Sequence, residues 1–216
     1  MPKYYPVYLD LVGKPAVVMC VNREADRKAP QLLDCGATVT VISDDPSPLL
    51  QQLEADNRIV LHRRAYQPGD MKDAYLAIIG TNDVDVNHRA ADEARQEKAL
   101  VNTVDDIPYC DFIAPAIVER GDLTIAISTN GKSPAMTRRI REELDAYLTP
   151  DYADLLTVLA QVRTSLRNAG VHPRPDAWQA HIDDELRNLI RRGDLKTAQD
   201  RLLADLTKAA RQSGVA

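Results

Sequence analysis

Three short stretches of this 216-residue chain combine side chains that could do chemistry. The first is Asn102-Thr103-Val104-Asp105-Asp106, which closes the apolar run ALVNTVD at 99–105. A carboxylate at the carboxyl end of a parallel strand faces the crevice where such sheets take their ligands, so Asp105 is a candidate general base. The structural alternative is a turn before Pro108 with Asp106 as its cap. The second stretch is Ser128-Thr129-Asn130-Gly131-Lys132-Ser133-Pro134, followed by Arg138, Arg139 and Arg141. Hydroxyls, an amide, a lysine and the N–H groups of a helix start together make a receptor for carboxylates or phosphates. It lacks the earlier glycine of a GxxxxGK[ST] loop, which makes it a poor phosphate-binding P-loop. Here the alternative is an N-cap turn with a solvated basic helix face behind it.

The third stretch, Met19-Cys20-Val21-Asn22-Arg23-Glu24, links the first apolar run to the segment that follows it. A link that lets a pyrophosphate approach a helix N-terminus is glycine-rich, because any side chain there holds the phosphates away. No glycine occurs between Gly13 and Gly36. Cys20, Val21 and Asn22 therefore argue against tight NAD binding, Glu24 adds a like charge, and Arg23 offers a phosphate partner. Asp44 and Asp45 follow roughly 20 residues later, where an acid commonly binds an adenosine ribose; before Pro46 they equally suit a turn. His62, His88, His172 and His181 are scattered one per element, so no metal site is expected. The three cysteines, Cys20, Cys35 and Cys110, lack metal-ligand spacing and read as packing residues in a reducing compartment.

These residues need a frame, and the apolar pattern supplies one. PAVVMCV at 15–21, ATVTVIS at 37–43, RIVLHRR at 58–64, AYLAIIGT at 74–81 and ALVNTVD at 99–105 are continuous or β-branched runs, as strands buried on both faces should be. Mixed segments at 23–35 and 86–98 carry helical patterning between them. Strand–helix–strand repetition implies right-handed crossovers and a parallel sheet. The expected fold is α/β: a Rossmann-like domain over residues 1–115, a segment at 116–150, and a small all-helical domain at 151–216. The middle segment holds a strand at 122–129 and a helix at 135–147, too little chain for a core of its own. A second copy of the chain is the simplest partner for it. Beyond Asp151 three stripes, beginning at Leu155, Trp178 and Leu195, follow helical spacing.

Composition is that of a folded domain: 44% hydrophobic, 27% charged and a net charge of −5. It excludes disorder and fibre and gives no overall attraction to nucleic acid. No stretch of about 18 apolar residues and no signal-like h-region occurs, so neither membrane nor secretion is indicated and cytoplasm is the default.

Taken in order, Tyr5-Pro6-Val7-Tyr8-Leu9-Asp10-Leu11, Arg27-Lys28, Gly36-Ala37-Thr38-Val39-Thr40-Val41, Asn102-Thr103-Val104-Asp105, Asp111-Phe112-Ile113-Ala114-Pro115-Ala116 and Thr124 to Pro134 resemble the precorrin-2 dehydrogenase and sirohydrochlorin ferrochelatase module of the siroheme synthase family. The resemblance runs from about Tyr5 to Pro150. It implies a homodimer of Rossmann domain, intertwined dimerisation segment and helical domain. It also implies oxidation of the tetrapyrrole precorrin-2 with NAD, and in bifunctional members insertion of Fe2+, a substrate, into the product. By the same resemblance Asp105 is the functional acid. NAD contacts fall on Asn22, Arg23, Glu24, Asp44, Asp45 and Thr81. Substrate contacts fall on Asn102, Ser128, Thr129, Asn130, Gly131, Lys132, Ser133 and Arg138. Cys20-Val21-Asn22 stand where that family has three consecutive glycines. Two alternatives stay open: a chelatase that does not use NAD, and a non-catalytic tetrapyrrole-binding protein.

Overall fold

The computed structural model describes residues 3–20 and 23–212, which divide into two compact units, Met1–Ala114 and Pro115–Ala216. The first unit is an α/β layer structure. Its strands are β1 (Pro15–Cys20), β2 (Thr38–Ile42), β3 (Ile59–His62), β4 (Leu76–Gly80) and β5 (Leu100–Thr103). They form one parallel sheet in the order β3-β2-β1-β4-β5. This is the doubly wound order of one three-strand half, β3-β2-β1, followed by two strands of a second, with the switch point between β1 and β4, where neighbouring crossovers leave on opposite faces and open a crevice.

Both faces of the sheet are covered. Ala16, Val18 and Cys20 face a core completed by α1 (Arg23–Asp34) and α2 (Pro48–Ala55), with Ala25, Ala29, Leu32, Leu50 and Leu53. Val17 and Met19 point the other way, into a core with Ala90, Ala91 and Ala94 of α3 (Val84–Gln96) and with Met71. The period-2 alternation within β1 thus feeds two cores at once, which explains a continuously apolar strand. Helix α2 and strand β6 add to the elements expected from the sequence. Helix α2 starts on Ser47, whose hydroxyl accepts from the Leu50 N–H at 3.2 Å, with Pro48 in its first turn.

The second unit opens with an antiparallel hairpin of β6 (Ala116–Arg120) and β7 (Leu123–Ile127), followed by α4 (Pro134–Tyr147). Gly121 turns the hairpin at φ 57°, a left-handed conformation, and a Cβ there would stand 3.1 Å from Ala153 Cβ. No residue of α4 is buried. The unit's core belongs to α5 (Asp151–Asn168), α6 (Pro175–His181), α7 (Asp184–Arg191) and α8 (Leu195–Gln212). It is built from Leu155, Val158, Val162, Leu166, Leu186, Leu189, Ile190, Leu202 and Leu206. Among the described residues no helix is long and apolar enough to cross a membrane.

Candidate dinucleotide and acid site

The carboxyl ends of β1, β2, β4 and β5 open onto one cleft of about 950 Å3 in the first unit. It is lined by Cys20 from β1, by Arg23, Glu24 and Asp26 of the first turn of α1, by Asp44 and Asp45 after β2, by Gly80 and Thr81 at the end of β4, and by Asp105 after β5. Arg23, Glu24, Asp44, Asp45, Thr81 and Asp105, six residues expected from the sequence, therefore meet in one cavity. Asn22 lies outside the described residues.

The side chains around this cleft are held by specific bonds. Glu24 pairs with Arg27 at 2.7 Å, so its charge is partly neutralised within α1. The Ser47 hydroxyl donates to Asp26 at 2.5 Å, tying the start of α2 to α1 beside the two aspartates. Thr81 N–H and hydroxyl both donate to Asn87 Oδ1, at 2.9 and 2.7 Å, which fixes the end of β4 against α3. Cys20 is buried, and burial, aided by the nearby Glu24, pushes its thiol up to about 12. It stays protonated and inert, a wall rather than a nucleophile. Burial also holds the Lys28 ammonium below the usual lysine value, with Arg27 adding to the effect.

A dinucleotide fits this cleft at its adenosine end. Asp44 and Asp45 stand where carboxylates accept ribose hydroxyls, and the first turn of α1 presents the positive end of a helix with Arg23. The fit is poorer at the pyrophosphate, because Glu24, Asp26, Asp44, Asp45 and Asp105 line the cleft against Arg23 alone.

Asp105 has left-handed backbone, φ 60°. It occupies the third position of a turn closed by Asp106 N–H donating to the Thr103 carbonyl at 3.2 Å, a position that usually takes glycine or asparagine. Asp106, expected as a cap, makes no side-chain cap bond; its carboxylate stands 2.7 Å from Nε2 of His88 instead. Asn102 is not among the cleft's lining residues. Its buried amide donates to the Phe112 carbonyl at 2.9 Å and to Cys110 Sγ at 3.6 Å. Cys110 in turn donates to the Thr103 carbonyl, and Cys35, expected to pack, is exposed. The His88–Asp106 pair escaped the sequence reading, because residues 18 apart carry no periodic signal.

The remaining predicted residues form a turn in the second unit. Thr129 Oγ1 donates to the Ser133 carbonyl at 3.2 Å and lies 3.0 Å from Thr137 Oγ1, and the Asn130 N–H donates to Ser128 Oγ at 3.0 Å. Asn130 and Gly131 both have positive φ, 53° and 75°. Ser133 caps α4 by accepting from Met136 N–H at 3.1 Å. Arg138 and Arg139 pair with Glu142 and Glu143 at 2.9 and 2.6 Å, so the basic face is partly neutralised on its own helix, while Lys132 is exposed.

The sheet order and a cleft at its switch point define a nucleotide-binding α/β protein of the Rossmann type. Residues 7–116 match the family model described as "Putative NAD(P)-binding", and the chain belongs to that family. Residues 120–147 match a second model, "Sirohaem biosynthesis protein central". The chain is 30% identical over 212 residues to Siroheme synthase 1 of Serratia proteamaculans and 33% over 213 residues to Siroheme synthase 1 of Yersinia enterocolitica. Those alignments take in 97% and 98% of this chain but 44% and 45% of the relatives, so the chain spans less than half of their length. A solved structure, "SirC, precorrin-2 dehydrogenase", superposes with a TM-score of 0.75 at 26% identity, covering 91% of this chain and 100% of the other.

Proposed function

We propose that this chain oxidises precorrin-2 to sirohydrochlorin with NAD and works as a homodimer. The observation that carries the reading is the single cleft joining Asp105 to Arg23, Asp44, Asp45 and Thr81 at the sheet's switch point. When bound, NAD supplies the hydride acceptor. Asp44 and Asp45 would hold its adenosine ribose, and Arg23 with the first turn of α1 would face its phosphates. Asp105 takes the proton that leaves the substrate carbon as the ring system is desaturated. Within the second unit, taken by itself, Lys132, Arg138 and the hydroxyl-bearing turn at 128–133 make a receptor for carboxylates of the kind the substrate carries. Dimerisation is supported by α4, which has no buried residue, and by Ile117, Met136 and Tyr147, large apolar side chains that one chain leaves exposed.

The test is turnover of precorrin-2 with NAD by the purified chain and by Asp105→Ala. The variant is expected to lose about 10²- to 10⁴-fold in kcat; full activity in it removes Asp105 as the base. A calorimetric titration showing no saturable NAD binding at millimolar concentration removes the dehydrogenase reading altogether.

One observation favours a second reading. The glycine-free link and the excess of carboxylates in the cleft suit a chelatase that inserts Fe2+ into sirohydrochlorin without NAD, with Asp105 accepting one of the two pyrrole protons that leave and water taking the other. Repeated turnovers of iron insertion in the absence of NAD would support it.

A further inference from the structure

At φ 60° the Asp105 Cβ crowds the carbonyl oxygen that follows it, a modest strain that the contacts on either side of its turn can offset. On its N-terminal side Val104 is fixed: its N–H donates to the Ile79 carbonyl at 2.7 Å, and its side chain fills the place a Cβ on Gly80 would take. The C-terminal side is held from α3. Nε2 of His88 stands 2.7 Å from the Asp106 carboxylate, which accepts its N–H, and the same imidazole stacks on Tyr109, ring centroids 3.7 Å apart and planes 5° from parallel. One side chain thus grips both ends of the short 3-10 turn Ile107–Tyr109. That turn is closed on itself by Tyr109 N–H to the Asp106 carbonyl at 3.0 Å and by Thr103 Oγ1 to the Tyr109 carbonyl at 3.1 Å.

We infer that His88 is a positioning residue for Asp105, acting through Asp106 and Tyr109, a role that rests on the reading of Asp105 as the base given above. His88 does not line the cleft and does not touch reacting atoms. It holds the residue after Asp105 so that the aspartate's backbone cannot swing to negative φ and carry the carboxylate out of the cleft. Both members of the pair are less than a third exposed, so the bond is partly shielded from water and stiffer than a surface contact.

The test uses kcat for precorrin-2 oxidation in the full chain, together with NMR of Asp105. His88→Phe keeps a ring against Tyr109 and loses the N–H; Asp106→Ala loses the acceptor; Asp106→Asn keeps an acceptor oxygen. His88→Phe and Asp106→Ala are expected to lower kcat about 10- to 100-fold, the scale of a displaced catalytic group, with the dissociation constant for NAD unchanged. Asp106→Asn is expected to recover most of that loss. In an Asp105→Ala background His88→Phe is expected to cost nothing further, because the group it positions is gone. An equal loss in both backgrounds overturns the proposal, and so does full kcat in His88→Phe. The Asp105 backbone coupling and Cα shift read φ without turnover: both should move in His88→Phe and Asp106→Ala and stay in Asp106→Asn. A parent chain without NAD-dependent precorrin-2 oxidation would end the functional reading alone, and an unmoved Asp105 signal would end the positioning one.

Discussion

At the scale of single residues, the site depends on one missing side chain. Gly80 ends β4 in a conformation any residue could adopt, yet a Cβ there would stand 2.8 Å from Cγ2 and 2.9 Å from Cβ of Val104, inside any real contact distance. Val104 leads directly into Asp105. Gly80→Ala is therefore expected to destabilise the chain by about 1–3 kcal/mol, the range for an overpacked site, and to lower turnover by displacing Asp105. Because the Val104 Cβ itself is too close, Gly80→Ala combined with Val104→Ala should remain impaired. Urea midpoints and kcat measured side by side check both statements, and wild-type behaviour of the double variant would show that only Cγ2 matters. This constraint was invisible in the sequence, where Gly80 is simply the last residue before a polar turn. The place of Asp105 at the cleft was legible, since an acid ending an apolar run at the carboxyl side of a parallel strand faces the ligand crevice, and the turn that the sequence equally suited there is also present. Its positive φ was not, because it belongs to the local turn closed by Asp106 N–H on the Thr103 carbonyl, nor was the His88 contact, which joins α3 to a residue 18 positions further on.

At the scale of elements, the strands of the sheet were legible because burial on both faces makes them continuously apolar, and α4 because Ser133-Pro134 marks its start. Helix α2 was not: it has eight residues, of which Leu50 and Leu53 are buried, too short a stripe to show a period. Strand β6 alternates in burial around Val118, but its sequence Ala-Ile-Val-Glu-Arg puts apolar residues on both faces and so shows no apolar–polar alternation. In the helical unit, Asp183 both caps α7 and ties it to Arg201 of α8, which Glu185 of α7 also reaches at 3.3 Å. Asp183 accepts from Leu186 N–H at 2.8 Å as the N-cap, and from Arg201 at 3.0 and 2.6 Å through two guanidinium nitrogens. The Arg201 bonds hold its carboxyl at about 2, below the usual 3.8, with the cap bond adding to them. A depressed carboxylate contributes stability above its unfolded pKa and loses it as pH falls through the folded value. Asp183→Asn keeps a cap oxygen and loses the charge. Discounted for a side chain 37% exposed, the variant should be about 1 kcal/mol less stable at neutral pH. The gap to wild type should close as pH drops from 3.8 toward about 2. Denaturant midpoints at pH 7 and pH 3 measure it, and a gap independent of pH would assign the loss to the cap instead.

At the scale of the molecule, the two candidate sites carry opposite charge although the chain as a whole is at −5. The cleft of the first unit sets Arg23, with Arg27 and Lys28 nearby, against Glu24, Asp26, Asp44, Asp45 and Asp105. The turn and helix of the second unit set Lys132, Arg138, Arg139 and Arg141 against Glu142 and Glu143, with Asp145 of the same helix paired to Arg120. On the proposed function an anionic dinucleotide would enter a field that repels it, and a polycarboxylated tetrapyrrole would approach one that attracts it. Screening weakens both fields as the Debye length falls from about 30 Å at 0.01 M salt to about 10 Å at 0.1 M. NAD affinity should accordingly hold steady or rise between those two salt concentrations, while tetrapyrrole affinity should fall. Calorimetry with each ligand at the two ionic strengths tests the pair of signs. NAD binding that weakens with salt as the tetrapyrrole does would mean that Arg23, Arg27 and Lys28 dominate the cleft, and that its carboxylates are turned to the ribose rather than to the phosphates.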